Sequence, residues 1–134
     1  MTTSDQPGLW PGLRYEDARA ALRFLVAGLG FVEQLVVPPD GDRDVPHAEL
    51  LWPAGGGVML GSAGGGEPAF DAAGPASIYL VSDDPDAVLE RAVRAGAEVV
   101  RPLREESYGS REFTVRDPEG NLWSVGTYRG TPAS

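Results

Sequence analysis

The chain of 134 residues contains no cysteine, no lysine and a single histidine, His47. Without cysteine, neither a disulfide framework nor a thiolate nucleophile is available. The eleven basic residues are all arginines, and 20 acidic residues outnumber them, so the net charge is −9. Nucleic-acid binding needs a basic patch for the phosphates, and this charge therefore argues against a nucleic-acid partner. It suits a cationic ligand, or serves only to keep the protein soluble.

Long apolar segments are also missing. No apolar run approaches the roughly 20 residues that span a bilayer. The N-terminus, MTTSDQPG, lacks the basic and apolar regions of a secretory signal. We therefore expect a cytoplasmic protein with no membrane partner. Hydrophobic residues make up 42% of the chain and charged residues 23%, which is typical of one soluble globular domain.

One structural plan occurs twice along the chain. Each copy predicts a strand, an acidic cap, an amphipathic helix, a glycine and a further strand. Asp17 and Asp84 occupy the cap positions, where a carboxylate accepts hydrogen bonds from free backbone N–H groups. Gly30 and Gly96 follow the helices and favour the left-handed conformation that ends them. The matching segments are residues 13–31 and 80–99.

The β-branched and aromatic runs after each helix predict short strands. These runs are 31–37, 47–53 and 57–61 in the first copy, and 97–101, 111–116 and 121–128 in the second. The fold class is therefore α+β, with two tandem βαβββ modules. The expected boundaries are a disordered tail at 1–8, modules at 9–62 and 76–129, a Gly/Ala-rich connection at 63–75 and a second tail at 130–134.

The segment DPEGNLWSVG, residues 117–126, predicts a tight turn that leads into the last strand. Pro118 fixes φ at the first central position of the turn, and Gly120 can adopt the positive φ that re-enters a strand. Along the strand, Trp123 faces one side and Ser124 faces the other. We expect Trp123 in the core and a small hydroxyl on the opposite face.

Paired βαβββ modules that end in DPEGNLW resemble the vicinal oxygen chelate superfamily. This superfamily holds glyoxalase I, extradiol dioxygenases, fosfomycin-resistance enzymes and bleomycin-resistance proteins. The segments HAEL, VML and YGSREFTVRDPEGNLWSVGTY are most similar to its glyoxalase/bleomycin-resistance branch, which is related to the PhnB-like proteins. The resemblance covers residues 9–129 and implies a curved mixed sheet around a cavity. It also implies a homodimer whose grooves enclose a ligand.

In the metalloenzymes of this superfamily, four inward-facing residues, typically His and Glu, hold one divalent metal that acts as a Lewis acid. The resemblance places these four positions at Trp10, Met59, Ser77 and Ser124. Tryptophan cannot ligate, methionine is too soft for Mg²⁺ or Mn²⁺, and neutral serine is a poor ligand. We therefore expect no metal and no other cofactor, and a cavity left for a larger guest.

The candidate ligand-binding residues are Trp10, His47, Met59, Ser77, Tyr79, Tyr108, Arg111 and Ser124. Aromatic walls at Trp10 and Tyr79 suit a flat guest, fill the groove themselves, or contact a partner subunit. Arg111 either clamps an acidic group of the ligand or pairs with one of the chain's own carboxylates. His47 and Glu49 alternate on one strand face and are candidates for a general base, although a structural or ligand-orienting role is the favoured interpretation.

These residues support three functions. The leading one is a metal-independent binding protein that sequesters a cationic aromatic antibiotic or metabolite. The alternative is a glyoxalase-like lyase or isomerase, or a dioxygenase-type enzyme, with a non-standard site that uses His47, Glu49 and Arg111. The third is a regulatory module that binds no small molecule. The sequence leans against an enzyme, because neither a nucleophile nor a metal site accompanies His47.

Overall fold

The computed structural model describes residues 7–41, 44–65 and 68–132. The strands are β1 (Gly12–Tyr15), β2 (Val32–Val37), β3 (His47–Leu51), β4 (Gly57–Ser62), β5 (Ser77–Val81), β6 (Glu98–Glu105), β7 (Arg111–Arg116) and β8 (Leu122–Gly126). The first sheet has the strand order β1-β4-β3-β2, and the second has the order β5-β8-β7-β6. In each sheet the two strands named first are parallel, and the other neighbours are antiparallel. The predicted α+β fold of two βαβββ modules is confirmed.

Both predicted helix caps are observed. Helix α1 (Ala18–Arg23) begins after Asp17, whose side chain accepts a hydrogen bond from the Ala20 N–H at 3.1 Å. Helix α3 (Pro85–Arg94) begins after Asp84, which makes the same bond, also at 3.1 Å, to the Ala87 N–H. The duplicated sequence plan thus produces duplicated capping, because each carboxylate satisfies a backbone donor that the first helical turn leaves unpaired.

The first helix differs from its sequence prediction in its second half. After α1 the chain continues as a π-helical segment, Phe24–Leu29, in which the hydrogen bonds are one residue longer. The Gly30 N–H donates to the Leu25 carbonyl at 3.0 Å, and Gly30 ends the helix with φ of 99°. Apolar spacing cannot distinguish a π-turn from an α-turn, so the sequence predicted only a helix there.

The Gly/Ala-rich connection contains a short helix, α2 (Pro68–Asp71), where the sequence predicted only a flexible segment. The predicted tails lie partly outside the described residues, which exclude 1–6, 133 and 134. Within the described part of the chain, no helix has the length and apolar character needed to cross a membrane.

Aromatic side chains join the two modules in one core. The Phe31 ring lies 5.0 Å from that of Trp52 and 5.7 Å from that of Trp123, which is fully buried as predicted. The Trp52 Nε1–H donates to the Val81 carbonyl at 2.7 Å, so a side chain of the first module caps a strand of the second. These contacts therefore join the two sheets on their helix-facing sides.

Asp117, at the start of the DPEGN turn, is the polar centre of this junction and is 4% exposed. Its Oδ2 accepts from the Tyr15 hydroxyl at 2.7 Å and from the Trp123 Nε1–H at 3.0 Å. Burial, and then the charge of Asp117, raise the pKa of Tyr15 well above its ordinary value. The nearby Glu119 carboxylate accepts from the backbone N–H groups of Glu16 and Asp17, both at 2.7 Å. The turn thereby anchors the start of α1.

Candidate functional site

Each sheet has one face packed on the helices and one face turned away from them. We call the latter the first and the second open face. Burial alternates along the strands, so the core side is set by residues such as Leu50 and Trp123, and their neighbours in sequence point to the open faces. The first open face carries Gly12, Arg14, His47, Glu49, Gly57, Met59 and Gly61. The second carries Ser77, Tyr79, Glu112, Thr114, Ser124 and Gly126.

Strand register makes the two open faces directly comparable. On the first, Met59 of β4 lies between Gly12 of β1 and Glu49 of β3. On the second, Ser124 lies between Tyr79 and Thr114. Gly12 therefore corresponds to Tyr79, Glu49 to Thr114 and Met59 to Ser124. His47 lies two residues before Glu49 in β3, and Glu112 lies two residues before Thr114 in β7, so these two also correspond.

Two glycines of β4 leave room on the first open face for side chains from β1 and the residues before it. A Cβ built on Gly57 would come within 2.7 Å of the Trp10 ring, which therefore lies across this backbone. A Cβ built on Gly61 would come within 2.5 Å of Arg14 Nη1, so the guanidinium lies across the strand there. Met59 is between them on the same face. The face thus offers an indole, a thioether and a guanidinium in sequence along one strand.

A cavity of about 480 Å³ opens over this face. It is walled by the first sheet on one side and by the connection between the modules on the other. At Gly12 an added Cβ would meet no atom within 4 Å, so this position is open where the second face carries Tyr79. The described lining residues are Gly12, Leu13, Arg14, His47, Met59, Leu60, Ala69, Ala72, Gly74, Pro75 and Ala76.

His47 and Glu49 form the pair that their alternation predicted. His47 Nε2 lies 2.8 Å from Glu49 Oε2, and the His47 side chain is 42% exposed. His47 lines the cavity and Glu49 does not. The Glu49 carboxylate orients the His47 imidazole. An imidazole held in this way can position a ligand or transfer a proton.

The second open face is covered by its own side chains. Ser124 and Thr114 share a hydrogen bond at 2.7 Å between their hydroxyls. The Tyr79 hydroxyl donates to the Tyr128 carbonyl at 2.8 Å, which holds the ring across the sheet. A Cβ on Gly126 would come within 2.7 Å of the Tyr79 hydroxyl, so space at this end is already occupied.

Tyr108 closes the other side of the second open face. Its hydroxyl donates to Glu112 Oε1, and the Ser110 hydroxyl donates to Glu112 Oε2 at 2.8 Å. Glu112 is only 5% exposed as a result. The hydrogen bond to Glu112, followed by burial and by the Glu112 charge, raises the pKa of Tyr108 to about 12. The Tyr108 ring also contacts Tyr128 edge to face, at 5.6 Å between centroids.

Arg111 lies apart from both open faces. Along β7 it alternates with the open-face residues and shares the helix side with Phe113. Its guanidinium makes a bidentate pair with Asp86 at 2.8 Å and a third contact with Glu105 at 3.2 Å. Hydrogen bonding to Arg111 lowers the pKa of Asp86. Of the two roles considered for Arg111, pairing within the chain is therefore the one observed, because its strand parity turns it toward α3.

The predicted site residues fall into two groups. Trp10, His47, Glu49 and Met59 share the first open face, whereas Ser77, Tyr79, Ser124 and Tyr108 belong to the second. The lining of the 480 Å³ cavity includes none of the second group. Sequence reasoning missed Arg14, Gly12 and Glu112. Strand parity held a signal for Arg14, since it lies two residues from Gly12 in β1.

Another cavity of about 570 Å³ lies on the helix side, beside the π-helical segment and the end of β7. Arg23, Glu98 and Arg116 are among its lining residues. None of the predicted site residues reaches it. We therefore take the cavity over the first open face as the candidate site.

The four positions that the resemblance implies for a metal carry poor donor chemistry. Trp10, Met59, Ser77 and Ser124 supply no imidazole and no carboxylate, and they are divided between the two open faces. Across residues 7–41, 44–65 and 68–132, no three His, Asp or Glu side chains come close enough together to hold a metal ion. These side chains do not fit a divalent cation.

Comparison with known proteins decides the family. Residues 9–125 match the family model described as the Glyoxalase/Bleomycin resistance protein/Dioxygenase superfamily. The chain belongs to this superfamily. An uncharacterized protein of Mycobacterium bovis is 37% identical, with 94% of this chain and 86% of that protein aligned. This superfamily assignment accounts for the βαβββ duplication.

Solved structures agree with the superfamily assignment. TioX from Micromonospora sp. ML1 matches with a TM-score of 0.72 and 32% identity, covering 89% of this chain and 98% of that one. A glyoxalase/bleomycin resistance protein from Catenulispora acidiphila matches with a TM-score of 0.64 and 26% identity, covering 90% and 97%. Neither match distinguishes the branches within this superfamily.

Proposed function

We propose that this superfamily member is a metal-independent binding protein that sequesters an aromatic antibiotic or metabolite. The observation that carries the proposal is the 480 Å³ cavity over the first open face, which lies within the size range of small-molecule sites. Its lining is mostly apolar, and Arg14 and His47 supply the few polar groups that orient a guest. This combination is typical of ligand pockets.

An aromatic guest is supported by two side chains of the first open face, of which Met59 lines the cavity. The Trp10 ring lies across Gly57, and Met59 offers a polarizable thioether two residues along β4. Flat aromatic molecules pack well on indole rings and thioethers. The net charge of −9 favours a cationic guest at long range.

The proposal includes a homodimer in the cytoplasm. Edge strand β2 exposes Val32, Leu35 and Val37, and edge strand β6 exposes Val99 and Val100. Apolar edge strands favour association with another chain. Light scattering coupled to size exclusion should give twice the chain mass, and a monomer at micromolar concentration would contradict the dimer.

Tryptophan fluorescence tests the binding function. Trp10 lies on the first open face, while Trp52 and Trp123 are buried in the core, so a guest on that face should perturb Trp10 most. A bleomycin-type glycopeptide is the first probe, because the superfamily includes bleomycin-resistance proteins. Saturation at submicromolar concentration, lost in Trp10→Phe but not in Trp52→Phe, supports sequestration. No change up to hundreds of micromolar removes this drug class.

The enzymatic alternative rests on one observation, the His47–Glu49 pair at 2.8 Å beside the cavity. It requires turnover of a cavity-sized substrate that His47→Ala abolishes and Glu49→Gln reduces. Binding that persists in His47→Ala without turnover in the wild type would contradict it.

A further inference from the structure

We infer that the cavity on the helix side is a second binding site, which takes a small organic carboxylate through Arg116 and Arg23. Its volume of about 570 Å³ lies within the range of small-molecule sites. Its described lining shares no residue with that of the cavity over the first open face. The inference therefore goes beyond the proposed function, and either one can fail without the other.

Both modules contribute to this cavity, which we call the junction cavity. The described lining residues are Ala20, Arg23, Phe24 and Ala27 from the first module, and Ala95, Gly96, Glu98, Arg116, Asp117 and Pro118 from the second. Ligand sites occur preferentially between structural units. The π-helical segment supplies Phe24 and Ala27, and such segments are frequent at functional sites. A guest here would touch both halves of the duplicated fold.

Arg116 provides an unused hydrogen-bond donor at this place. Its Nε is buried and has no hydrogen-bond partner in the part of the chain that the structure describes. Glu98 Oε1 is 3.9 Å away, beyond hydrogen-bond distance, and the Glu98 side chain is 69% exposed. A buried N–H without an acceptor is unfavourable, so an acceptor oxygen in the cavity would stabilise it. A carboxylate can accept from Nε and a terminal nitrogen of one guanidinium together.

Arg23 brings a second guanidinium to the junction cavity. It is the last residue of α1 and is exposed. Within residues 7–41, 44–65 and 68–132, its side chain makes no hydrogen bond or ion pair. Two arginines from different modules can therefore share the oxygens of one acidic group. The planar N–H fork of arginine matches such a group better than a point charge does.

Two acids also line the junction cavity, and they differ from the arginines in their remaining hydrogen-bonding capacity. Asp117 accepts at Oδ1 from two backbone N–H groups of its own turn, and at Oδ2 from three side-chain donors. Glu98 is largely in solvent, where its charge is screened. The unused polar groups are thus mainly donors, which favour an anionic acceptor over an ammonium group.

The rest of the lining describes the body of the guest. Three alanines and Gly96 present small apolar surfaces, and Phe24 and Pro118 present larger ones. A short hydrocarbon chain fits such surfaces because its burial removes apolar area from water. The ligand class is therefore a carboxylate with a small apolar body.

Two probes of equal shape test the inference, hexanoate and the uncharged hexanamide. Titration of nitrogen-15-labelled protein, followed by NMR of the arginine Nε–H signals, should show a saturable shift of Arg116 with hexanoate. Hexanamide should bind at least about tenfold more weakly, equal to about 1.4 kcal/mol. R116Q should abolish hexanoate binding, R116K should retain part of it, and R23Q should weaken it.

R104Q is the matched control for total charge. Arg104 is an exposed arginine paired with Glu106, and it lies six residues along β6 from Glu98, a span of about 20 Å. R104Q should leave the hexanoate affinity unchanged. Equal losses in R116Q and R104Q would overturn the inference, because total charge and not Arg116 would then set the affinity.

Three further results would overturn the inference. The first is equal affinity for hexanoate and hexanamide, and the second is no Arg116 shift at millimolar probe concentration. The third is a hexanoate shift confined to Gly12 and Met59, which would place the acid in the proposed site of the first open face. Circular dichroism checks the folding of R116Q. If that variant unfolds, R23Q and R116K decide the test, and unchanged affinity in both would contradict the inference.

The proposed function has a separate readout, the Trp10 fluorescence change with the glycopeptide. Hexanoate binding without that change would support the junction cavity and count against sequestration of this drug class. The reverse pattern would refute the junction cavity alone.

Discussion

The two open faces share one architecture and differ in what covers them. On the first, Gly12, Glu49 and Met59 occupy the central row and a cavity of about 480 Å³ lies above it. On the second, Tyr79, Thr114 and Ser124 occupy the same row and hydroxyl hydrogen bonds close it. The duplicated fold therefore presents different side chains at matched positions of its two open faces.

Single residues decide which face stays open. A glycine in β1 leaves space where a tyrosine in β5 fills it, and β4 has glycines that let Trp10 and Arg14 lie flat. A buried carboxylate, Glu112, replaces the half-exposed His47 at the equivalent place and gathers hydroxyl donors around it. Function in such a fold depends on these substitutions and not on the strand order.

The largest effect is expected from adding a methyl group to the closed face. Gly126→Ala would bring its Cβ within 2.7 Å of three neighbouring atoms, on Tyr79, Ser110 and Glu112. Overpacking of this kind costs about 1–3 kcal/mol of unfolding free energy. Gly12→Ala meets nothing within 4 Å and should change that free energy by less than about 0.5 kcal/mol. Urea unfolding of both variants measures the difference, and equal values would contradict the contrast between the faces.

Replacing Glu112 on the second open face should lower the unfolding free energy more than replacing Glu49 on the first. The difference should be smaller than that between the two glycine variants. Glu112→Gln removes one acceptor of the Tyr108 and Ser110 hydroxyls in a buried place, which costs about 1–3 kcal/mol. Glu49→Gln breaks only a part-exposed pair with His47, worth about 0–1 kcal/mol. Thermal unfolding at one pH would rank them. A larger loss for Glu49→Gln would mean that the first open face is the more tightly packed one.

The smallest effect concerns pH. Because the pKa of Tyr108 is raised to about 12 in the folded chain, the neutral phenol is the stabilised form. Its contribution to stability is complete below pH of about 10, the unfolded value, and is lost as pH rises through about 12. Absorbance titration of tyrosinate should show Tyr108 ionising earlier in Glu112→Gln. An unchanged titration curve would exclude Glu112 as the main cause.

Much of the fold was accessible from the sequence because its signals are local. Asp17 and Asp84 were predicted as caps from residue type and helix periodicity, and the turn at Pro118 was predicted from its backbone preferences. Alternation along β4 and β8 also placed Met59 and Ser124 on the correct faces.

The site was less accessible because it depends on contacts across strands. That Arg14 lies over Gly61 is a consequence of parallel pairing between β1 and β4, which no local pattern encodes. The bond from Tyr108 to Glu112 depends on how the turn at Gly109, where φ is 86°, presents the Tyr108 ring to β7, and strand alternation does not give that direction. For Arg111, the alternation in REFTVR did hold a signal, since it shares parity with Phe113.

The most direct test of the open first face is a screen of aromatic fragments by two-dimensional NMR on the wild type and on Gly12→Tyr. This substitution places on the first face the residue that fills the second, and nothing within 4 Å of the Gly12 Cβ position opposes it. We expect fragments that shift the signals of Gly12, Arg14 and Met59 in the wild type and lose this effect in the variant. Fragments that bind both proteins alike, or that shift only Tyr79 and Ser124, would contradict it.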